Sequence, residues 1–194
     1  IYTGAPLSIG PAGVKQIHHF WLTHYHGDHY GSLFDIAKQV PIKQLYDHGP
    51  SIEGERPNIQ KFQAAYAEFY KTIPRTVVKP GMKLAFAGTD TTAVMSASEP
   101  IKTALPKAPG AGRPNPLCAN HKERDESKVD PDNHQSAGFV MNFGRFRMVD
   151  FGDLTWSREF QLMCPTNQIG TIDLYLTTHH GLDQSGAPVA VHAL

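Results

Sequence analysis

At 194 residues the chain has the size of one domain with a substantial core, and its 40% hydrophobic content is that of an ordinary globular protein. Its 18 basic residues balance its 18 acidic ones, and the absence of any basic stripe argues against non-specific nucleic-acid binding through phosphate contacts. No apolar run approaches the length of a membrane span, and no signal peptide is visible.

In chain order, Ile1 to Gly13 reads as a Gly/Pro-rich loop and Ile17-His18-His19-Phe20-Trp21-Leu22 as a buried strand. His18 and His19 are expected in the core or behind a ligand, orienting it by a hydrogen bond. The strand leads into Thr23-His24-Tyr25-His26-Gly27-Asp28-His29. His24 and His26 lie two apart, so at the end of an extended strand both leave the same face. Gly27 is expected to turn the chain sharply, which aims Asp28 and His29 back at the same spot. Imidazoles and a carboxylate gathered so closely point to a metal, and such donors suit zinc, iron or manganese.

Ser32 to Gln39 predicts a short helix stopped by Pro41, and Ile42 to Tyr46 a strand ending at Asp47-His48-Gly49. His48 is expected to be a solvated loop residue rather than one that touches substrate. Ile59, Phe62, Tyr66, Phe69, Tyr70 and Ile73 recur at three and four residues, so Asn58 to Ile73 predicts a helix with one apolar face. Thr76 to Val78, Met82 to Phe86 and Thr92 to Ala97 read as strands parted by Pro80-Gly81 and Gly88. The segment 99–135 holds six prolines and no periodicity, which predicts a long irregular loop that borders the metal edge and selects substrate. His121 within it is expected to face solvent.

Gly138 to Asp150 predicts a hairpin turning at Gly144-Arg145, with Asp153 just beyond its second strand. Trp156 to Met163 reads as a helix and Ile172 to Leu176 as a strand delivering His179 and His180. The whole is a mixed α/β pattern in which three candidate ligand groups follow three apolar strands. No internal repeat, Ser-His-Asp arrangement or Gly-rich phosphate loop competes with it. Cys118 and Cys164 are no metal pair; they are either two thiols or, in a secreted protein, a disulfide worth roughly 4 kcal/mol in the chain-entropy model.

His-x-His-x-Asp-His after an apolar strand resembles the signature of the metallo-β-lactamase superfamily. Phe151-Gly152-Asp153-Leu154 and Thr178-His179-His180-Gly181 resemble its aspartate and last histidine motifs, and together are most similar to the branch holding the hydrolase-like domain of the DNA-uptake protein ComEC. The resemblance implies a four-layer αββα sandwich with a two-metal site along one edge. It implies a single domain over 1–194, short of the strands the family places before its first motif and of its closing elements. By the same resemblance His24 and His26 bind a first metal, while Asp28, His29 and His179 bind a second. Asp153 bridges the two, and His180 stands behind His179 or replaces it. Asp28 is expected to accept a proton from the attacking water.

Better-known members supply a further histidine from a third motif. The stretch here is Asp132-Asn133-His134-Gln135-Ser136, and ComEC-like relatives show an Asn and a Ser in this place. Asn133 and Ser136 resemble them, with His134 the alternative ligand. Two divalent ions bring four positive charges, of which Asp28 and Asp153 cancel two; the residue favours an anionic substrate or transition state. The expectation is a metal-dependent hydrolase, with two zinc (or manganese or iron) ions, acting on a phosphodiester or other small anionic ester. A β-lactamase or lactonase is the first alternative. A binding module without catalysis is the second, motivated by the missing third histidine. Resemblance to bacterial, often exported relatives implies an extracytoplasmic or periplasmic location.

Overall fold

The computed structural model describes residues 13–194; the predicted loop over residues 1–12 lies outside them. Successive residues of a strand point to opposite faces, and here both faces of both sheets are apolar, so each sheet must be covered twice. The first sheet is parallel, ordered β1 (Phe20–Trp21), β2 (Leu45–Asp47), β3 (Arg75–Val77). A single helical turn, α1 (Gly27–Tyr30), follows β1; α2 (Leu33–Gln39) and α3 (Pro57–Phe69) complete the connections. Leu22, Leu33, Leu45, Ile59, Phe62 and Tyr66 form the core between helices and sheet. On the sheet's other face Trp21 and Tyr46 pack against Ala93 and Phe139 of the second sheet.

That second sheet runs β4 (Lys83–Leu84), β5 (Asp90–Ser96), β7 (Gly138–Phe143), β8 (Phe146–Asp150), β9 (Leu174–Tyr175), with β6 (Glu99–Pro100) on the end of β5. All its pairs are antiparallel except β8 with β9. Phe139 and Met141 of β7 face the first sheet, while Val140 joins Val94, Val149, Phe151, Leu162 and Val189 beneath α4 (Trp156–Met163) and α5 (Pro188–Val191). Three apolar interfaces between four layers give the αββα sandwich.

Element types follow the sequence reading, and their lengths differ for local reasons. The first strand keeps its ladder at Ile17, bridged to Ile42, and again from Phe20. Between them exposed His18 turns to Gln16, and His19 packs 4.6 Å from the Phe86 ring and meets the Tyr46 hydroxyl. Both sit apart from the metal motifs: His19 packs among core aromatics, one of its two expected places, whereas His18 is exposed and in neither. Helix α3 starts one residue earlier than predicted, with Pro57 in its first turn where a missing N–H costs nothing. It stops at Phe69 because Pro74 disfavours helical backbone at Ile73, leaving Tyr70 and Ile73 half-buried against the same core.

The segment 101–137 carries two 3₁₀ turns, Pro116–Asn120 and Pro131–Gln135, and no longer element. Cys118 is bonded to Cys164 at the end of α4, with Cα atoms 5.8 Å apart, which decides between the two readings of this pair. His121 does not simply face solvent: its ring lies 4.2 Å from that of Phe160.

Candidate metal centre

The ends of β1, β8 and β9 lie side by side, so the loops that leave them meet. Gly152 makes the closest approach. Its φ is +57°, and a Cβ placed there would lie 2.6 Å from the Thr23 Cβ, so a side chain is excluded both by backbone strain and by space. The Thr23 carbonyl accepts the Ala137 N–H at 2.8 Å, and the Gly152 carbonyl accepts the His179 N–H at 3.2 Å. Main chain thus knits together the four loops that carry the candidate residues.

His24 is fully buried, and its Nε2 lies 3.0 Å from His26 Nδ1 and 3.7 Å from Asp153 Oδ2. Thr23 Oγ1 sits between the Nδ1 atoms of His24 (3.0 Å) and His29 (3.2 Å) and helps fix both rings. His26 Nε2 meets Glu53 Oε2 at 3.3 Å. An ionised carboxylate only accepts, so this nitrogen carries the proton and a neutral His26 turns a lone pair toward His24. Burial, then the neighbouring imidazoles of His29, His26, His48 and His179, hold the His24 pKa well below its usual value. It is neutral at pH 7, the state a metal ligand needs.

Across from this pair, Asp28, His29, Asp153 and His180 each offer one donor atom, all within 4.8 Å of one another. His180 Nε2 is 3.0 Å from Asp28 Oδ2 and 3.3 Å from Asp153 Oδ2, and His29 Nε2 is 3.1 Å from Asp153 Oδ1. Asp153 therefore stands between the His24–His26 pair and the Asp28–His29–His180 group. Burial raises its pKa, but the His29, His180 and His179 rings outweigh this and hold it below the ordinary carboxylate value.

Fit to a cation shows in the atoms left over. Among the described residues His179 Nδ1 and Asn133 Oδ1 are buried without a hydrogen-bond partner, and His29 Nε2 has only ion-pair approaches, the nearer to Asp153. Such orphans are costly unless something binds them. The donors that Asp28, His29, Asp153 and His180 bring together suit a divalent cation, with His24 and His26 alongside.

Several positions differ from the sequence reading. His180 rather than His179 groups with Asp28 and His29; His179 Nε2 lies 3.3 Å from the Asn133 amide and 3.8 Å from Asp153 Oδ2. His134 is not brought to the cluster, since its Nδ1 meets Thr155 Oγ1 at 2.8 Å and Glu126 at 3.7 Å. Gly27 opens α1 with helical backbone and needs none of glycine's extra freedom. His48 is 1% exposed rather than solvated, and its Nε2 meets Asp132 Oδ2 at 3.3 Å.

Two acids were missed. Asp132 also accepts the Tyr25 N–H at 2.6 Å and the Ser51 hydroxyl, fixing the backbone between His24 and His26. Glu53 orients His26 and accepts the Asp132 N–H at 3.2 Å. Neither stands in a recognisable spacing, because folding alone brings them to the motif.

The twin histidines sit in a 3₁₀ turn, Thr178–Gly181, with φ of +46° at His179 and +55° at His180. Left-handed backbone at a residue with a Cβ costs about 1 kcal/mol each. Buried Glu159 of α4 holds the turn from beneath. It accepts from Thr178 Oγ1 (2.6 Å), Tyr175 OH (3.2 Å), Gly186 N (3.1 Å) and Ala187 N (2.6 Å). Glu159→Ala is expected to lower stability by about 3 kcal/mol, because it strands these donors. Urea unfolding measures that loss, and a parallel zinc titration should show weaker uptake as the turn relaxes.

Residues 9–96 match the family model described as the metallo-beta-lactamase superfamily. No curated protein sequence matches the chain. Among solved structures, a mutant of the CmlA beta-hydroxylase is 16% identical, with a TM-score of 0.47, covering 91% of this chain and 29% of its own. The diiron beta-hydroxylase CmlA from Streptomyces venezuelae is 15% identical, with a TM-score of 0.44, covering 84% and 25%. The chain thus spans under a third of the length of these two proteins. The matched residues carry the first histidine motif, and the chain folds as an αββα sandwich of the metallo-β-lactamase type.

Proposed function

We propose that the chain is a metal-dependent hydrolase, similar to the ComEC-like branch, acting on a phosphodiester or another small anionic ester. The observation that supports it is the position of Asp153 between two groups of imidazole and carboxylate donors. His24 and His26 would hold one divalent ion, and Asp28, His29 and His180 a second, with Asp153 shared; zinc suits the donors best. When bound, such a pair makes hydroxide available near neutral pH and polarises the oxygen of the scissile group.

The protein's own part is to hold those donors in place and aimed. Thr23 and Glu53 orient three of the imidazoles, and Asp132 fixes the backbone between two of them. Asp28 is half exposed, with its side chain at the mouth of the cluster, where it can take the proton of an attacking water. His179 and Asn133 face each other beside Asp153, and either would add a donor to the first ion. An extracytoplasmic location fits the Cys118–Cys164 disulfide. Among the described residues no helix is long and apolar enough to cross a membrane.

A panel of bis-p-nitrophenyl phosphate, nitrocefin and a lactone, run with zinc or manganese, tests the proposal. The phosphodiester should turn over, and a chelator should stop it. Turnover of nitrocefin alone would transfer the assignment to β-lactam hydrolysis. Less than one metal per chain, with no activity after metal is added, would favour a binding module, the reading that Asn133 in place of a histidine supports.

A further inference from the structure

We propose that Arg124 and Trp156 form the subsite that holds the anionic group of the substrate, a carboxylate or phosphate on an aromatic or apolar body. This rests on the reading of the neighbouring centre as hydrolytic. The guanidinium of Arg124 lies 3.7 Å over the centroid of the Trp156 indole. Stacking fixes its plane and leaves its N–H edges free to take two oxygens side by side. Among the described residues the arginine–carboxylate ion pairs belong to Arg56 and Arg75, and none to Arg124.

Three cavities, of about 290, 460 and 490 Å³, meet at this pair. The smallest is walled by Thr178 and Gly181, which flank His179 and His180. The next has Leu117, Pro188 and Val189 as its apolar floor. The three share Arg124 and Trp156, so one groove runs from beside the twin-histidine turn across the indole to an apolar surface; His179 and His180 themselves do not line it. Glu123 and Asp183 also line it and are exposed, as is Arg124, whose guanidinium lies flat against the indole.

The platform is built in advance of any ligand. Trp156 lies three residues beyond Asp153, and its Nε1 donates to the Lys122 carbonyl at 2.9 Å. Glu126 accepts from Ser157 N at 2.8 Å and Ser157 Oγ at 2.6 Å. The Cys118–Cys164 bond fastens the other end of the same segment to the end of α4. Because the segment is fixed at both ends of the helix, little ordering is left for binding to offset.

Trp156 emission provides a readout that needs no turnover. Native protein, with and without zinc, is titrated with phenyl phosphate, benzoate and benzyl alcohol, and the zinc-dependent part is assigned to the centre itself. The zinc-independent signal should appear with the anions and not with the alcohol, and the tighter of the two anions identifies the group recognised. Arg124→Ala should weaken that binding by about 10-fold or more, with Arg124→Lys in between. For a p-nitrophenyl ester that also carries a separate carboxylate, Arg124→Ala should raise KM about 10-fold, leaving kcat, zinc content and hydrolysis of neutral p-nitrophenyl acetate unchanged.

Equal anion binding by Arg124→Ala, or equal binding of the alcohol, overturns the subsite. So does a KM for the carboxylate-bearing ester indifferent to Arg124, although the hydrolase reading then stands. Arg124-dependent anion binding by a zinc-loaded protein that hydrolyses neither ester upholds the subsite and removes the hydrolase reading.

Discussion

Asp153→Ala is expected to lower zinc affinity by more than about 100-fold, since even residues that only orient a ligand are worth 10- to 100-fold. The reason is positional. Its two oxygens are the ones within 3.1–3.8 Å of His24, His29, His179 and His180, so both halves of the cluster lose a donor together. His24→Ala should lose one ion and spare the other, because His24 is not among the four residues whose donors gather at Asp28, His29, Asp153 and His180. Competition titration against a chromogenic chelator, with metal counted by elemental analysis, separates the two results. An Asp153→Ala protein that keeps two tightly held ions would remove the proposed centre, whatever its activity.

The second large effect concerns stability. Opening the Cys118–Cys164 bond, which spans a sequence separation of 46, should cost about 4 kcal/mol by releasing the unfolded chain from a closed loop. Urea unfolding of the native protein with and without reductant, beside a Cys118→Ser/Cys164→Ser variant, measures it. Zinc content at low urea should not change, because neither cysteine touches the metal motifs. An unfolding midpoint indifferent to reductant would show that the segment around Cys118 is held by its packing alone.

Much of this could be read in advance because periodicity and chemistry agreed. The two apolar runs parted by Gly144-Arg145 marked a hairpin, and β7 and β8 do pair antiparallel about that turn. The His24–His29 run was legible because its spacing is local. What could not be read is whatever depends on where distant segments land. His48 looked like a loop residue because Asp47-His48-Gly49 is polar, yet Asp132, 84 positions later, lies over it. The order of His179 and His180 turned on two left-handed residues that no propensity would place there. Glu53 and Glu159 were invisible as organisers for the same reason: the partners they hold around the site lie 16 to 79 residues away in sequence.

The backbone junction of Thr23, Ala137, Gly152 and His179 has a practical consequence. Peptide groups, rather than the imidazoles and acids themselves, hold these loops in register. Removing one donor side chain should therefore leave the others standing where they were, like fence posts set in a common footing. Variants at the donor positions can then be compared with one another as changes in chemistry alone, whereas a methyl group added at Gly152 would shift every post together.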